Sequence, residues 1–238
     1  MTARVLDRPV WSSLSTRHAA FAVGGERARR FAPDINPLAG ARDDAPESVA
    51  ELARLVPADG PLLLLQADAV VLPAGMVFAT NVPGVQMVLE RLADVPADPR
   101  IVALTAADAP AMLALATLTS PGPFSTRAPE LGEFFGVKEG DGTLLAMAGE
   151  RMKHPGYSEI SGVCTHPDAR GRGLARSLSA HVARRILARG ETPYLHAYAS
   201  NTPAIQLYAA LGFRLRAEMH VAAIVRASAG AVDASKKK

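Results

Sequence analysis

Cysteine is nearly missing from this chain of 238 residues: Cys164 is the single one. One cysteine excludes an internal disulfide and a multi-cysteine zinc site. It suits a reducing compartment, so a cytoplasmic location is expected. No group of His, Asp and Glu has metal-ligand spacing, and no metal is expected. Long apolar runs are missing too. The leucine run at residues 62–65 is far short of the ~20 apolar residues that span a bilayer, so no membrane partner is expected. Near the N-terminus Arg4, Asp7 and Arg8 precede Trp11 without a continuous apolar stretch, and no signal peptide is expected. A strong excess of one charge is also absent. Lys and Arg number 26 against 23 Asp and Glu, the net charge is +3, and the basic residues are scattered. Lys236, Lys237 and Lys238 form only a small terminal cluster. Without a basic stripe, nucleic-acid binding has no electrostatic footprint.

What is present is apolar material in ordinary proportion, 49% of residues, enough for a core that needs no staple. Residues 10–23 are expected to form a first helix and 27–31 a short strand. Residues 34–46, rich in Pro, Gly and Asp, are expected as loop. Ser48 and Glu51 have the spacing of a capping box at the start of a helix ending near Pro57. Residues 62–66 and 76–79 are expected as strands, and 85–92 as a strand or short helix. The composition at 94–99 is that of a linker. This gives an N-terminal α/β segment, 1–97, a main domain, 98–226, and a small polar tail, 227–238, expected to be disordered.

The second segment is punctuated more clearly. Strands are expected at 101–104, 134–138, 144–152 and 157–165, with a helix capped by Thr105 and a Gly140-Asp141-Gly142 hairpin turn. Leu174, Leu178, Val182 and Ile186 recur every four residues on one helical face. A strand at 194–199, a helix at 203–211 closed by Gly212, and a strand at 220–226 follow. Antiparallel strands and then a parallel crossover make a mixed α/β sheet.

The strand at 157–165 runs into Arg170-Gly171-Arg172-Gly173-Leu174-Ala175. A tight Gly-rich turn opening a helix exposes backbone N–H groups beside the positive end of the helix dipole, a ready site for a pyrophosphate. Glycine lets the backbone approach such a group closely, and Arg170 and Arg172 supply charge-assisted contacts. A second pattern lies downstream: Asn201-Thr202-Pro203-Ala204-Ile205-Gln206-Leu207-Tyr208, then Gly212-Phe213.

These two patterns, in this order and spacing, resemble the signatures of the GNAT superfamily, the Gcn5-related N-acyltransferases. The resemblance covers about residues 100–226. Residues 159–175 with 212–216 look most like the branch that includes the C-terminal domains of glycine N-acyltransferases. It implies a largely antiparallel sheet flanked by helices, with a smaller N-terminal α/β half-domain that is a degenerate relative of the main one. The co-substrate implied is acetyl-CoA, its pyrophosphate on Arg170, Gly171, Arg172, Gly173, Leu174 and Ala175. Val163, Cys164 and Thr165 then lie along the pantetheine arm, with a bulge expected at Gly162 and the N–H near Val163 facing the thioester oxygen.

Asn201, Ala204 and Tyr208 are spaced to follow the cofactor along one face. Tyr208 is the candidate general acid for the departing thiolate, against an ordinary core tyrosine. Glu159 is the candidate general base, against a surface strand glutamate, with His196 as runner-up. Cys164 is read as packing rather than as a nucleophile. The activity implied is transfer of an acetyl group to a primary amine by direct attack in a ternary complex. The acceptor is a small molecule or a peptide. A non-catalytic acyl-CoA-binding or sensing module is the alternative. Acyl-chain length, acceptor and oligomeric state (monomer or homodimer) stay open.

Overall fold

The computed structural model describes residues 3–227; the tail at 228–238 lies outside the described residues. Eleven strands form one sheet in the order β1-β2-β3-β4-β11-β5-β10-β9-β8-β7-β6. The first segment supplies β1 (Ala22–Gly24), β2 (Ala28–Phe31), β3 (Leu38–Ala41), β4 (Leu62–Gln66) and β5 (Met76–Leu89), with α1 (Pro9–Ser15) and α2 (Pro46–Leu55). The second supplies β6 (Ile101–Leu104), α3 (Ala109–Thr119), β7 (Phe134–Lys138), β8 (Leu144–His154), β9 (Tyr157–Thr165), α4 (Leu174–Ala188), β10 (Thr192–Tyr198), α5 (Thr202–Ala210) and β11 (Phe213–Arg226). Only β3–β4 and β9–β10 pair in parallel; all other neighbours are antiparallel. The fold is thus the expected mixed α/β architecture with a largely antiparallel sheet flanked by helices.

The two segments interleave. β5, from the first, lies between β10 and β11 of the second, and β11 in turn pairs with β4. α4 buries Leu174, Leu178, Val182 and Ile186 against β7–β10, the face its four-residue spacing predicts. α3 covers β8 and β9 with Met112 and Leu115. The sheet curls so that Leu38 and Leu65 share a core with Met152 and Leu131 of the second segment. Polar bonds tie the same seam. Ser125 Oγ donates to the Ile35 carbonyl at 2.9 Å, and Arg127 pairs with Asp34.

Several local expectations need correction. The first helix stops at Ser15, and residues 22–24 are strand rather than helix. The 34–46 stretch contains β3. Its Leu-Ala-Gly-Ala sequence has weak strand propensity, but it is buried between β2 and β4, and a Cβ at Gly40 would sit 2.8 Å from the Trp11 nitrogen. Glycine there lets α1 pack onto the strand. Ser48 and Glu51 do not form a capping box. Pro46 starts the helix earlier, with Ala45 as N-cap. Ser48 Oγ instead donates to Asp43, and Glu51 accepts from the Arg27 and Ala28 amides. Of residues 85–92, 85–89 are the end of β5 and 90–92 lie beyond it, and the last strand begins at Phe213.

Candidate active site

β9 and β10 pair only at Tyr157–Thr192, Ser158–Pro193 and Glu159–Tyr194. Beyond Glu159 they part. On its other side β9 slips against β8, where Ser161 faces Gly149 and Cys164 faces Met147. Gly162 and Val163 on β9 therefore oppose Ala148 alone on β8, which is a β-bulge. Gly162 sits in it at φ +63°, and a Cβ there would lie 2.9 Å from the Phe134 ring. Glycine is required for both reasons. The divergence frees backbone groups of residues 160–165 on the side facing β10.

β9 leads through a short turn to Arg170 and the start of α4. Gly171 and Gly173 take left-handed φ of +76° and +74°, with nothing within 4 Å of an added Cβ. Gly173 is the N-cap of α4, so no side chain caps the helix, and no acidic residue lies in its first turn. The amides of Leu174, Ala175 and Arg176 thus keep the unsatisfied donors of a helix N-terminus. Arg170 and Arg172 are exposed and take part in no ion pair among the described residues. An open, uncapped, positively flanked helix start is the arrangement that receives a pyrophosphate.

A cavity of about 170 Å3 occupies the splay. Gly162 and Val163 line it from β9, and Ala197 and Tyr198 from β10. α5 presents Asn201, Ala204 and Tyr208 to it, the three positions expected on one helical face. Asn201 also caps α5, its Oδ1 accepting from the Ala204 amide at 3.2 Å. The far wall comes from the first segment and β11: Leu38, Leu63, Leu65 and Val221. Tyr208 is buried against Phe213; burial first, then the nearby Cys164, pushes its hydroxyl up to about 12. It is a phenol that stays protonated. Burial likewise pushes the Cys164 thiol up to about 11, so no thiolate nucleophile forms there near neutrality. Thr165 Oγ1 is buried without a hydrogen-bond partner.

Glu159 lies behind this cavity and not on its lining. Arg151 of β8 grips it with two bonds, Nε to Oε2 at 2.8 Å and Nη2 to Oε1 at 2.6 Å. The Met152 amide adds a contact at 3.3 Å, and His196 Nδ1 lies 2.7 Å from Oε1. Burial opposes the charge, yet Arg151 and His196 outweigh it and hold the carboxyl well below the usual carboxylate range. A carboxylate so occupied is a weak proton acceptor.

The partners of His196 fix its tautomer. Arg216 donates to Gln86 Oε1 at 2.9 Å, and Gln86 Nε2 donates to the Leu6 carbonyl at 2.9 Å. The same Gln86 Nε2, 2.9 Å from His196 Nε2, must then donate there too. The ring proton is therefore on Nδ1, donated to Glu159, and the imidazole is neutral. Burial lowers its pKa in the same direction. Arg151 and His196 face the cavity, so its polar floor is neutral overall.

Arg151, Gln86 and Tyr198 carry no motif signal.

The family model described as FR47-like protein matches residues 135–221. A GNAT-family protein from Novosphingobium aromaticivorans DSM 12444 is 43% identical, with a TM-score of 0.88, covering 94% of this chain and 99% of that one. The chain belongs to the GNAT family. A GCN5-related N-acetyltransferase from Kribbella flavida shares the fold at 18% identity and TM-score 0.64, covering 93% of this chain and 95% of that one. A tandem GNAT protein from the clavulanic acid biosynthesis pathway does so at 15% and 0.53, covering 84% and 78%. No curated protein matches the chain. The GNAT assignment accords with the glycine-rich loop at 170–175 and with the bulged, splayed strands.

Proposed function

We propose that the protein moves an acetyl group from acetyl-CoA to a primary amine by direct attack in a ternary complex. The observation that carries this reading is convergence. The freed edge of β9 and the Asn201–Ala204–Tyr208 face of α5 border one cavity, and β9 runs on from that cavity to the uncapped α4 N-terminus. The pyrophosphate of acetyl-CoA fits the 170–175 loop, where both glycines leave open space. The pantetheine arm then pairs with the backbone of Val163, Cys164 and Thr165, and the Val163 amide faces the thioester oxygen as charge develops on it.

The amine enters from the Leu38–Leu63–Leu65 wall. Its nitrogen bonds to the thioester carbon, the C–S bond breaks, and the thiolate leaves toward Tyr208. A phenol near 12 is a weaker acid than a thiol of ordinary pKa ~8.5. Tyr208 therefore assists mainly by hydrogen-bonding the developing thiolate. Glu159, committed to Arg151 and His196, acts as a positioning group, and water in the cavity carries away the amine proton.

The division at residue 97, kinship with the glycine N-acyltransferase branch, and a cytoplasmic location remain part of this proposal. So does an acceptor other than nucleic acid or membrane.

The test is thiol release from acetyl-CoA across a panel of amines, with wild type and Tyr208→Phe. Amine-dependent release that drops about 100-fold in kcat, the low end for removing one hydrogen-bond donor to a developing anion, with KM for acetyl-CoA unchanged, supports the reading. Binding of acetyl-CoA without release to any amine supports the sensing module instead.

A further inference from the structure

The sheet has two outer edges and one internal one. The outer edges are short: β1 has three residues and β6 four. Short edges are one way a fold avoids unwanted strand pairing. The internal edge is different. β5 runs for 14 residues and pairs with β11 over nearly all of that length. Its other side meets β10 only from Gly84 to Val88, with one further bond from the Ala199 amide to the Pro83 carbonyl. Residues 76–82 have no partner on that side among the described residues. This is ~23 Å of open strand edge at the usual rise.

None of the usual protections is present on it. No charged residue occurs from Met76 to Leu89, and the one proline, Pro83, lies at its inner end. Val77, Phe78 and Val82 are 41%, 38% and 39% exposed. An unblunted, apolar edge of this length is a template for another strand.

We propose that residues 76–82 of β5 pair with the same residues of a second copy of this chain, joining two sheets across a two-fold axis. An antiparallel isologous pair sets each segment against itself. A segment without charge meets no like charge when it does so. The chain's own last residues suit this edge poorly. Residues 228–238 would bring Asp233 and Lys236, Lys237 and Lys238 onto an apolar strand. The seam would begin at Gly84–Tyr198, beside the mouth of the cavity.

The experiment is sedimentation velocity over a dilution series, on wild type and on Thr80→Lys and Val82→Lys. Each lysine is the kind of edge charge that blocks pairing. The expected result is a wild-type species of twice 25.0 kDa that dissociates on dilution. Each variant should associate at least tenfold more weakly, with circular dichroism unchanged and thermal unfolding unchanged at dilutions where the wild type is also dissociated. A wild type that is monomeric at every concentration overturns the proposal. This holds even if the amides of 77–82 exchange slowly, which would assign the edge to the chain's own terminus. A dimer that persists in both variants overturns it too, because its interface then lies elsewhere.

Discussion

Arginine appears in two settings, on β8 just before β9 and in the loop just after it, and the fold treats them oppositely. Arg170 and Arg172 stand exposed beside an uncapped helix start, with no carboxylate paired to them among the described residues. Arg151, 14% exposed where it faces the cavity, is forked onto Glu159 and continued through His196, Gln86 and Arg216 to Asp7. The first setting leaves positive charge available, as a site for a mobile anion requires. The second satisfies every charge internally, as a wall that must hold its shape requires. The chain from Arg151 to Asp7 crosses β8, β9, β10, β5 and β11 and reaches the N-terminal segment, so it also binds the interleaved halves together.

The contrast is broken most severely at Glu159. Glu159→Ala leaves a buried guanidinium without its partner, a loss of about 3–5 kcal/mol in folding stability, read as the shift in urea midpoint. The pH dependence of that loss follows from the lowered pKa. A carboxyl held below its ordinary value of 4.5 contributes stability above that value and loses it as pH falls through the folded value. The gap between wild type and variant should be full at pH 7 and begin to close below about 4.5. A stability loss under 1 kcal/mol at pH 7, the size of a surface pair, would contradict the account of an internally paired cluster. The effect expected at the open end is smaller and different in kind. Arg170→Ala with Arg172→Ala should weaken acetyl-CoA binding roughly tenfold, by ~1.4 kcal/mol. The wild-type advantage should shrink with added salt because these charges are exposed, while the urea midpoint stays put. A drop in stability with unchanged affinity would reverse the assignment of the two settings.

How far the sequence carried this distinction depended on the scale of the cause. β4, β6, β7 and β9 begin and end where local punctuation places them, because turn residues and apolar runs act over a few positions. The 170–175 loop and the Asn201–Tyr208 face were legible for the same reason: each is a contiguous stretch whose spacing is set by one helix. Gly162 announced its bulge through a residue type that only a special backbone needs. The Arg151–Glu159–His196–Gln86 cluster was legible only in part: Glu159 and His196 stood out as candidate bases, but not their ties to Arg151 and Gln86, since the members come from four strands spread over residues 86–196. β3 was missed because burial on both sides, not propensity, makes Leu38–Ala41 a strand. The insertion of β5 between β10 and β11 was hidden for a related reason. Sequence order suggests that neighbours in the chain pair, and here the partner lies more than a hundred residues away.

The central claim is that acyl-CoA sits with its pyrophosphate on the 170–175 loop. Calorimetric titration of acetyl-CoA into wild type and Gly173→Glu tests it most directly. The new side chain enters open space but places a carboxylate where the anion belongs. Micromolar binding by wild type, reduced at least 100-fold in a variant that still folds, is the predicted result. Equal affinity in the two proteins, or no binding by a folded wild type, would contradict it.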